Sequence, residues 1–247
     1  LIEGNVYGWT SQPILAAAAV AAISFVLVVK RERSHASPVL PRSLYAMRGF
    51  GAANAIGFLI NFGSFGQLFL LSLYLQQSQG ASALAAGVQL LPMMGVFTIG
   101  NLLSSRITAR LSLRVTLVGG LVLSVIGGAA ATLTGAQSYG SFVAWVALCN
   151  LGIGVAIPAM TATTMRLAGR AHANGAAAAL NANRQAGALV GVAVMGMLIH
   201  GLAGWPERLV LAFGIGAAGY AIGALLAWRR LGYPAGTTTS PAPRTPS

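Results

Sequence analysis

The side chains of this sequence that could do chemistry are amides, hydroxyls and aromatic rings set into long apolar segments. In one segment Asn54, Phe58, Asn61 and Phe65 follow one another at intervals of four, three and four residues. A helix presents residues at this spacing on one side. Two amides beside two phenyl rings predict non-covalent binding of a large, partly polar molecule.

A second apolar segment carries Asn150, Thr161 and Thr164 on one predicted helix side, and a third contains Gln89. Polar side chains in a membrane-spanning helix usually face the bundle interior or a water-filled path. We therefore expect a substrate path formed by Asn54, Phe58, Asn61, Phe65, Gln89, Asn150, Thr161 and Thr164. The same groups could instead join helices by hydrogen bonds, and the sequence leaves both roles open.

Groups for covalent catalysis or metal binding are missing from these segments. The chain has no Asp, and its acids lie in or beside loops: Glu3, Glu32 and Glu207. No acid, Cys or second His stands at metal-ligand spacing from the three histidines, His35, His172 and His200. We predict no catalytic residue, no metal, no cofactor and no enzymatic activity.

The composition is that of a membrane protein. It is 56% hydrophobic and only 7% charged, with a mean hydropathy of +0.74, whereas soluble domains carry roughly 25% charged residues. The net charge of +12 could suggest a nucleic-acid partner. The basic residues sit at helix ends and form no continuous face, so we expect no nucleic acid.

A spanning helix needs about 20 mostly apolar residues. The sequence offers seven candidates: Pro13–Val29, Phe50–Leu75, Leu84–Leu103, Val115–Leu133, Phe142–Met165, about Ala176–Leu202, and Leu209–Trp228. We predict an all-α protein with these seven transmembrane helices. By polarity, we expect the second, third and fifth spans to be interior and the fourth and seventh to be peripheral.

The basic residues predict the orientation of these spans. All of them except Arg208 fall in every second loop or in the C-terminal tail. Lys and Arg are retained on the cytoplasmic side during insertion. We therefore expect a multi-pass protein of the cell membrane with its N-terminus outside and its C-terminus in the cytoplasm.

Three stretches resemble one family. They are Leu1-Ile-Glu-Gly with Gly8-Trp-Thr-Ser; Leu71-Ser-Leu-Tyr-Leu-Gln76 with Gly80-Ala-Ser-Ala-Leu and Leu90-Leu-Pro92; and Leu151-Gly-Ile-Gly-Val-Ala-Ile-Pro158 with Asn183-Arg-Gln-Ala-Gly187 and Gly191-Val-Ala-Val-Met-Gly196. Together they are similar to the fourteen-span drug:proton antiporters of the major facilitator superfamily. The resemblance covers residues 1 to about 230.

The resemblance implies a domain organisation. Residues 1–12 would be an extracellular loop, 13–29 an extra span, 30–49 a cytoplasmic linker, 50–230 the C-terminal six-helix half, and 231–247 a disordered cytoplasmic tail. The half would consist of two inverted three-helix repeats around a midplane site. The family's proton-coupling acids would lie mainly in an N-terminal half that precedes this segment. The lack of an initial Met fits a truncated chain.

One stretch departs from the family pattern. The inter-helix motif has an Asp-Arg-x-Gly-x-Arg core, whereas this chain has Ala109-Arg-Leu-Ser-Leu-Arg114. We therefore expect no acid-based gate in this half. We expect Arg110, Arg114, Arg184 and Gln185 to form a cytoplasmic gate or loop, with Arg110 and Arg114 holding the loop to lipid phosphates or to a helix C-terminus.

The function implied by the resemblance is proton-coupled efflux of drugs or antibiotics. The expected partners are the lipid bilayer, a small lipophilic substrate, protons and the N-terminal half. Two alternatives stay open: a permease that takes up or exports another small metabolite, and a non-transporting receptor or assembly module.

Overall fold

The computed structural model describes residues 49–134, 139–201 and 204–231, together with separate positions between residues 12 and 47. Its continuous stretches consist of long α-helices: α1 (Phe50–Leu73), α2 (Ala83–Arg110), α3 (Leu113–Thr134), α4 (Tyr139–Ala168), α5 (Ala173–Gly201) and α6 (Trp205–Arg230). A π-helical segment, Tyr74–Ser78, continues α1. The described residues contain no strand, so the all-α prediction is confirmed for this part of the chain.

Polar residues at the helix ends set the boundaries. The hydroxyls of Ser82 and Ser112 accept hydrogen bonds from the N–H groups of Ala85 and Val115, each at 3.2 Å, as N-cap residues do. The helices run beyond the apolar segments, and α2 continues past Leu103 to Arg110. Hydropathy locates the segment that lipid can cover, whereas backbone hydrogen bonding continues through the polar turns that follow.

Five helical stretches are long and apolar enough to cross a bilayer: Phe50–Ser78, Ala83–Arg110, Leu113–Thr134, Gly140–Ala168 and Trp205–Arg230. Helix α5 is not among them. The predicted span Pro13–Val29 lies mainly outside the described residues, and those of its residues that are described are helical and exposed. The total of seven spans therefore stays a prediction.

The helices pack in a crossed pattern between the two halves of the bundle. Helix α1 contacts mainly α5 and α6, while α4 contacts mainly α2 and α3. Helices α3 and α6 also pack against each other. We call α1–α3 and α4–α6 the two three-helix groups. The first helix of each group therefore packs on the second and third helices of the other group.

Glycine allows the closest of these contacts. A Cβ atom at Gly187 of α5 would overlap the carbonyl oxygen of Phe58 on α1, and one at Gly154 of α4 would overlap that of Phe97 on α2. Small residues let helix backbones approach when lipid provides no hydrophobic drive. The two contacts hold the corresponding helix pairs, α1 with α5 and α4 with α2.

Within the described bundle, the predicted ranking of helix burial is wrong for α2, which was expected to be interior, and for α3 and α6, which were expected to be peripheral. Only 22% of its most apolar window is buried, against 44% in α3 and 50% in each of α1, α4 and α6. Helices α3 and α6 are covered because each packs against the other as well as against the first helix of the opposite group. Helix α2 has its main neighbour, α4, on one side.

Candidate functional site

A cavity of about 200 Å³ lies between the two three-helix groups. Helices α1, α2, α4, α5 and α6 all contribute to its wall. The lining residues are Asn61, Ser64, Phe65, Gln67, Leu68, Leu71, Met93, Met94, Phe97, Val146, Asn150, Ile153, Ile157, Arg184 and Phe213. Asn61 and Asn150 each lie near the middle of their helix, so the cavity is at mid-depth in the bundle.

Most of the wall is apolar and adaptable. Phe65, Phe97 and Phe213 supply ring surface, and Met93 and Met94 supply flexible thioether side chains. Methionine adjusts to irregular shapes and makes favourable contacts with aromatic rings. Apolar pockets with a few placed polar groups are typical of small-molecule sites.

Three amides and the Ser64 hydroxyl give the cavity its uncharged polar groups. The Nδ2 atom of Asn61 donates to the backbone oxygen of Arg184 at 3.1 Å, and that of Asn150 donates to Val146 at 2.9 Å. The Oε1 atom of Gln67 accepts from the Tyr220 hydroxyl at 3.1 Å. The Nε2 atom of Gln67 is buried without a hydrogen-bond partner among the described residues. Asn61 thus joins α1 to α5, Gln67 joins α1 to α6 and keeps a spare donor, and the amide of Asn150 bonds within α4.

Arg184 is the one charged residue among those that line the cavity. Its Nε atom is buried and has no hydrogen-bond partner among the described residues. Gly57 leaves room for its aliphatic stem, because a Cβ atom there would lie 3.3 Å from the Cγ atom of Arg184. The arrangement places a cation against an apolar wall.

The structure divides the eight predicted substrate-path residues. Asn61, Phe65 and Asn150 line the central cavity, and Gln89 lines a smaller one beside Phe142. The others lie outside both linings. Asn54 bonds to Asn183, Phe58 stacks on Phe62 with centroids 6.3 Å apart, and Thr161 and Thr164 donate to carbonyls of their own helix at 3.0 Å.

The predicted gate residues do not form one group. Arg110 ends α2, and Arg114 lies at the start of α3. Arg114 donates to the backbone oxygen of Trp228, and its guanidinium lies 4.5 Å from the centre of the Trp228 ring. The expectation that it holds a helix C-terminus agrees with this contact. The placement of Arg184 and Gln185 in a loop is wrong, because both lie within α5.

Sequence reasoning missed several lining residues. Gln67 is a polar residue in a predicted span, which is itself a signal for an interior position. Arg184 gave the same signal, since it falls within the predicted span Ala176–Leu202. Met93 and Met94 carry no such signal, because an apolar residue in a predicted span is equally compatible with contact to lipid, to protein or to a cavity. In the described part of the chain, no three His, Cys, Asp or Glu residues form a group that could hold a metal.

The chain is similar to a known family of membrane transporters and to several bacterial resistance proteins. The family model of the Major Facilitator Superfamily matches residues 4–192 and 53–247. The methylenomycin A resistance proteins of Bacillus subtilis and Streptomyces coelicolor are 44% and 40% identical over 248 and 238 residues, covering 97% and 95% of this chain. The tetracenomycin C resistance and export protein of Streptomyces glaucescens is 30% identical over 214 residues, or 84% of the chain and 39% of that protein. The chain spans about half the length of the methylenomycin relatives, 52% and 50%.

Proposed function

The chain belongs to the major facilitator superfamily, and we propose that it is the C-terminal half of a drug:proton antiporter that exports antibiotics. The observation that carries the proposal is the central cavity between two three-helix groups. Transporters of this architecture bind substrate at the bilayer midplane, where their repeats meet. An apolar wall with a few amides suits a lipophilic, partly polar compound.

The relatives support export as the direction of transport. Their names describe resistance to methylenomycin A and both resistance to and export of tetracenomycin C. The crossed packing of α1 and α4 supports two inverted repeats within the half. We propose that the fold is one extra span at 13–29, a cytoplasmic linker at 30–49 and the six-helix half at 50–230, with a cytoplasmic tail at 231–247.

Proton coupling would use groups from another part of the transporter. Glu207 is the single carboxylate among the described residues, and it lies exposed in the first turn of α6. A carboxylate that carries protons during transport is expected inside the bundle. We therefore propose that the N-terminal half supplies it, and that the two halves rock about the shared site.

The test compares the complete protein with this chain alone in a drug-sensitive bacterial strain. The complete protein should lower drug accumulation, and a protonophore should abolish that effect. The 247-residue chain should reach the membrane without exporting drug, because alternating access needs both halves. Proton-dependent dye efflux by the chain alone would overturn the two-half proposal.

The same assay separates the two other candidate functions. A metabolite permease would raise or lower the content of one compound and leave drug tolerance unchanged. A receptor or assembly module would insert into the membrane and move neither drug nor metabolite. The amide and ring lining favours export of drugs, because it offers contact to many lipophilic molecules.

Orientation is tested with single-cysteine variants, made in a background in which the native Cys149 is replaced. Gly204→Cys should react with a membrane-impermeant maleimide from outside, since it lies before α6. Ser112→Cys and Ala171→Cys should react only after the membrane is opened. Labelling of Ser112→Cys in intact cells would reverse the proposed cytoplasmic position of the C-terminus.

A further inference from the structure

We propose that the central cavity takes organic anions, and that Arg184 pairs with the anionic group of the substrate. The inference rests on the export function proposed above and adds the chemical class of the exported compound. Its basis is the juxtaposition, in one apolar cavity, of a half-buried guanidinium whose buried Nε atom is unpaired and a second unpaired donor.

The position of Arg184 is the first step. It lies eleven residues after the start of α5 at Ala173, or about 17 Å along a helix that rises 1.5 Å per residue. Charged residues at such depth are costly and are retained mainly where they pair or serve a transport path. Its Nε atom nevertheless has no hydrogen-bond partner within the described bundle.

The second step concerns the counter-charge. Glu207, exposed at the start of α6, is the only acid in the described part of the chain. No carboxylate lines the cavity, and no ion pair to Arg184 is found among the described residues. A cation that faces an apolar wall is best satisfied by an anion that arrives with the ligand.

Gln67 supplies an independent second donor. Its side chain is only 5% exposed and lines the same cavity. The hydroxyl of Tyr220 donates to Oε1, which orients the amide, while Nε2 has no partner among the described residues. Two unpaired donor nitrogens call for an acceptor with several lone pairs, which a carboxylate or phosphate provides.

The apolar residues of the lining indicate what the uncharged part of the ligand is. Phe65, Phe97 and Met94 offer apolar contact surface, which favours a hydrophobic body attached to the anionic group. The cavity is therefore built for an amphiphilic organic acid. An acidic side chain from another part of the protein could present the same chemistry to Arg184, and the experiment must distinguish that source.

The experiment measures binding to the purified complete protein, with 2-naphthoate and its methyl ester as fluorescent probes. The two probes share a ring system and differ in charge. Wild-type protein should bind the acid at least tenfold more tightly than the ester. Arg184→Gln should weaken acid binding by about 10- to 100-fold, the range for a hydrogen bond to a charged group, and leave ester binding unchanged.

Three further variants sharpen this result. Arg184→Lys keeps the charge but loses the planar fork, so part of the preference for the acid should survive. Gln67→Leu should weaken acid binding by roughly 2- to 10-fold, as expected for one hydrogen bond. Arg106→Gln removes an exposed cation of α2 that does not line the cavity, and it should bind both probes as wild type does.

Specific outcomes would overturn the inference. Equal affinity of wild-type protein for acid and ester, or no measurable binding of the acid, would do so. If Arg184→Gln has wild-type thermal stability but loses affinity for both probes equally, Arg184 pairs with a carboxylate of the protein and not with the ligand. If Arg184→Gln fails to fold, Arg184→Lys and Gln67→Leu decide the matter. Export in cells is scored separately, so absence of export with intact acid binding would reject only the proposed function.

Discussion

Asn54 and Asn61 are the same residue type on the same helix, two turns apart, yet they lie in different surroundings. Asn54 donates to the backbone oxygen of Phe50 within α1 and accepts from Asn183 of α5, both at 3.0 Å, so both ends of its amide are used. Asn61 donates to Arg184 and lines the cavity. Helix spacing predicted one shared face, and the neighbouring helices gave its two ends different uses.

The packing around the two amides explains the contrast. Near Asn54, Met160 of α4 is fully buried, and both it and Leu180 of α5 crowd Gly57. Near Asn61, the thioethers of Met93 and Met94 stand across an open volume. We call these the packed level and the cavity level of α1. The first stabilises the bundle, and the second is available to a ligand.

The largest effect is expected at the contact that holds both levels together. Gly187→Val would drive a side chain into the carbonyl of Phe58 and should cost about 3 kcal/mol, the upper end of overpacking penalties. Thermal unfolding in detergent and abundance in the membrane measure it. The matched control is Gly119→Val, since Gly119 is exposed and has nothing within 4 Å of a built Cβ atom. Equal stability of the two variants would contradict the close α1–α5 contact.

Tryptophan substitution separates the two levels directly. Met160→Trp enlarges a fully buried side chain and should lower stability by about 2 kcal/mol. Met94→Trp should instead occupy the cavity, keep near-normal stability and reduce drug export by tenfold or more. Thermal unfolding and export are measured on both variants of the complete protein. A reversed pattern, with Met94→Trp unfolded and Met160→Trp stable, would abolish the distinction.

Asn61→Leu tests whether the cavity level recognises substrate. The change removes a hydrogen-bonding group from the cavity, and resistance should fall unevenly across drugs by roughly 2- to 10-fold, the value of one hydrogen bond. Protein abundance should stay near normal. A uniform loss for all drugs, matched by lower abundance, would show that Asn61 only joins helices.

Asn54→Leu should have the smallest effect. It removes the bond to Asn183, and hydrogen bonds between membrane helices average about 0.6 kcal/mol. Asn183 is only half-buried, and its Nδ2 atom keeps the bond to Ala179 at 3.0 Å, so one of its two N–H donors stays paired. The drug profile should keep the wild-type pattern at slightly lower stability. Drug-selective loss in Asn54→Leu would place the packed level in the substrate path as well.

Sequence reasoning predicted the helices that the structure describes, because each is long, apolar and bounded by polar or glycine residues. It was wrong on the burial of α2, α3 and α6 in the described bundle, since polarity within a span does not say how many helices surround it. It was also wrong about Arg184, because the positive-inside pattern assigns any cation to a loop, whereas α5 extends on both sides of this one. The amides of α1 were identified, but not their separate uses.

The amino-acid sequence by itself determined that the chain is a helical membrane protein. It shows apolar helices with cations near most of their ends and polar residues repeated at helical spacing. These properties depend on neighbours along the chain. Only the tertiary structure decided that Asn61, Gln67, Asn150 and Arg184 share a cavity while Asn54 is sealed against Asn183. The cavity groups come from three helices, α1, α4 and α5, and their meeting depends on how closely glycine lets the backbones approach. Spacing along one helix carries no information about that distance.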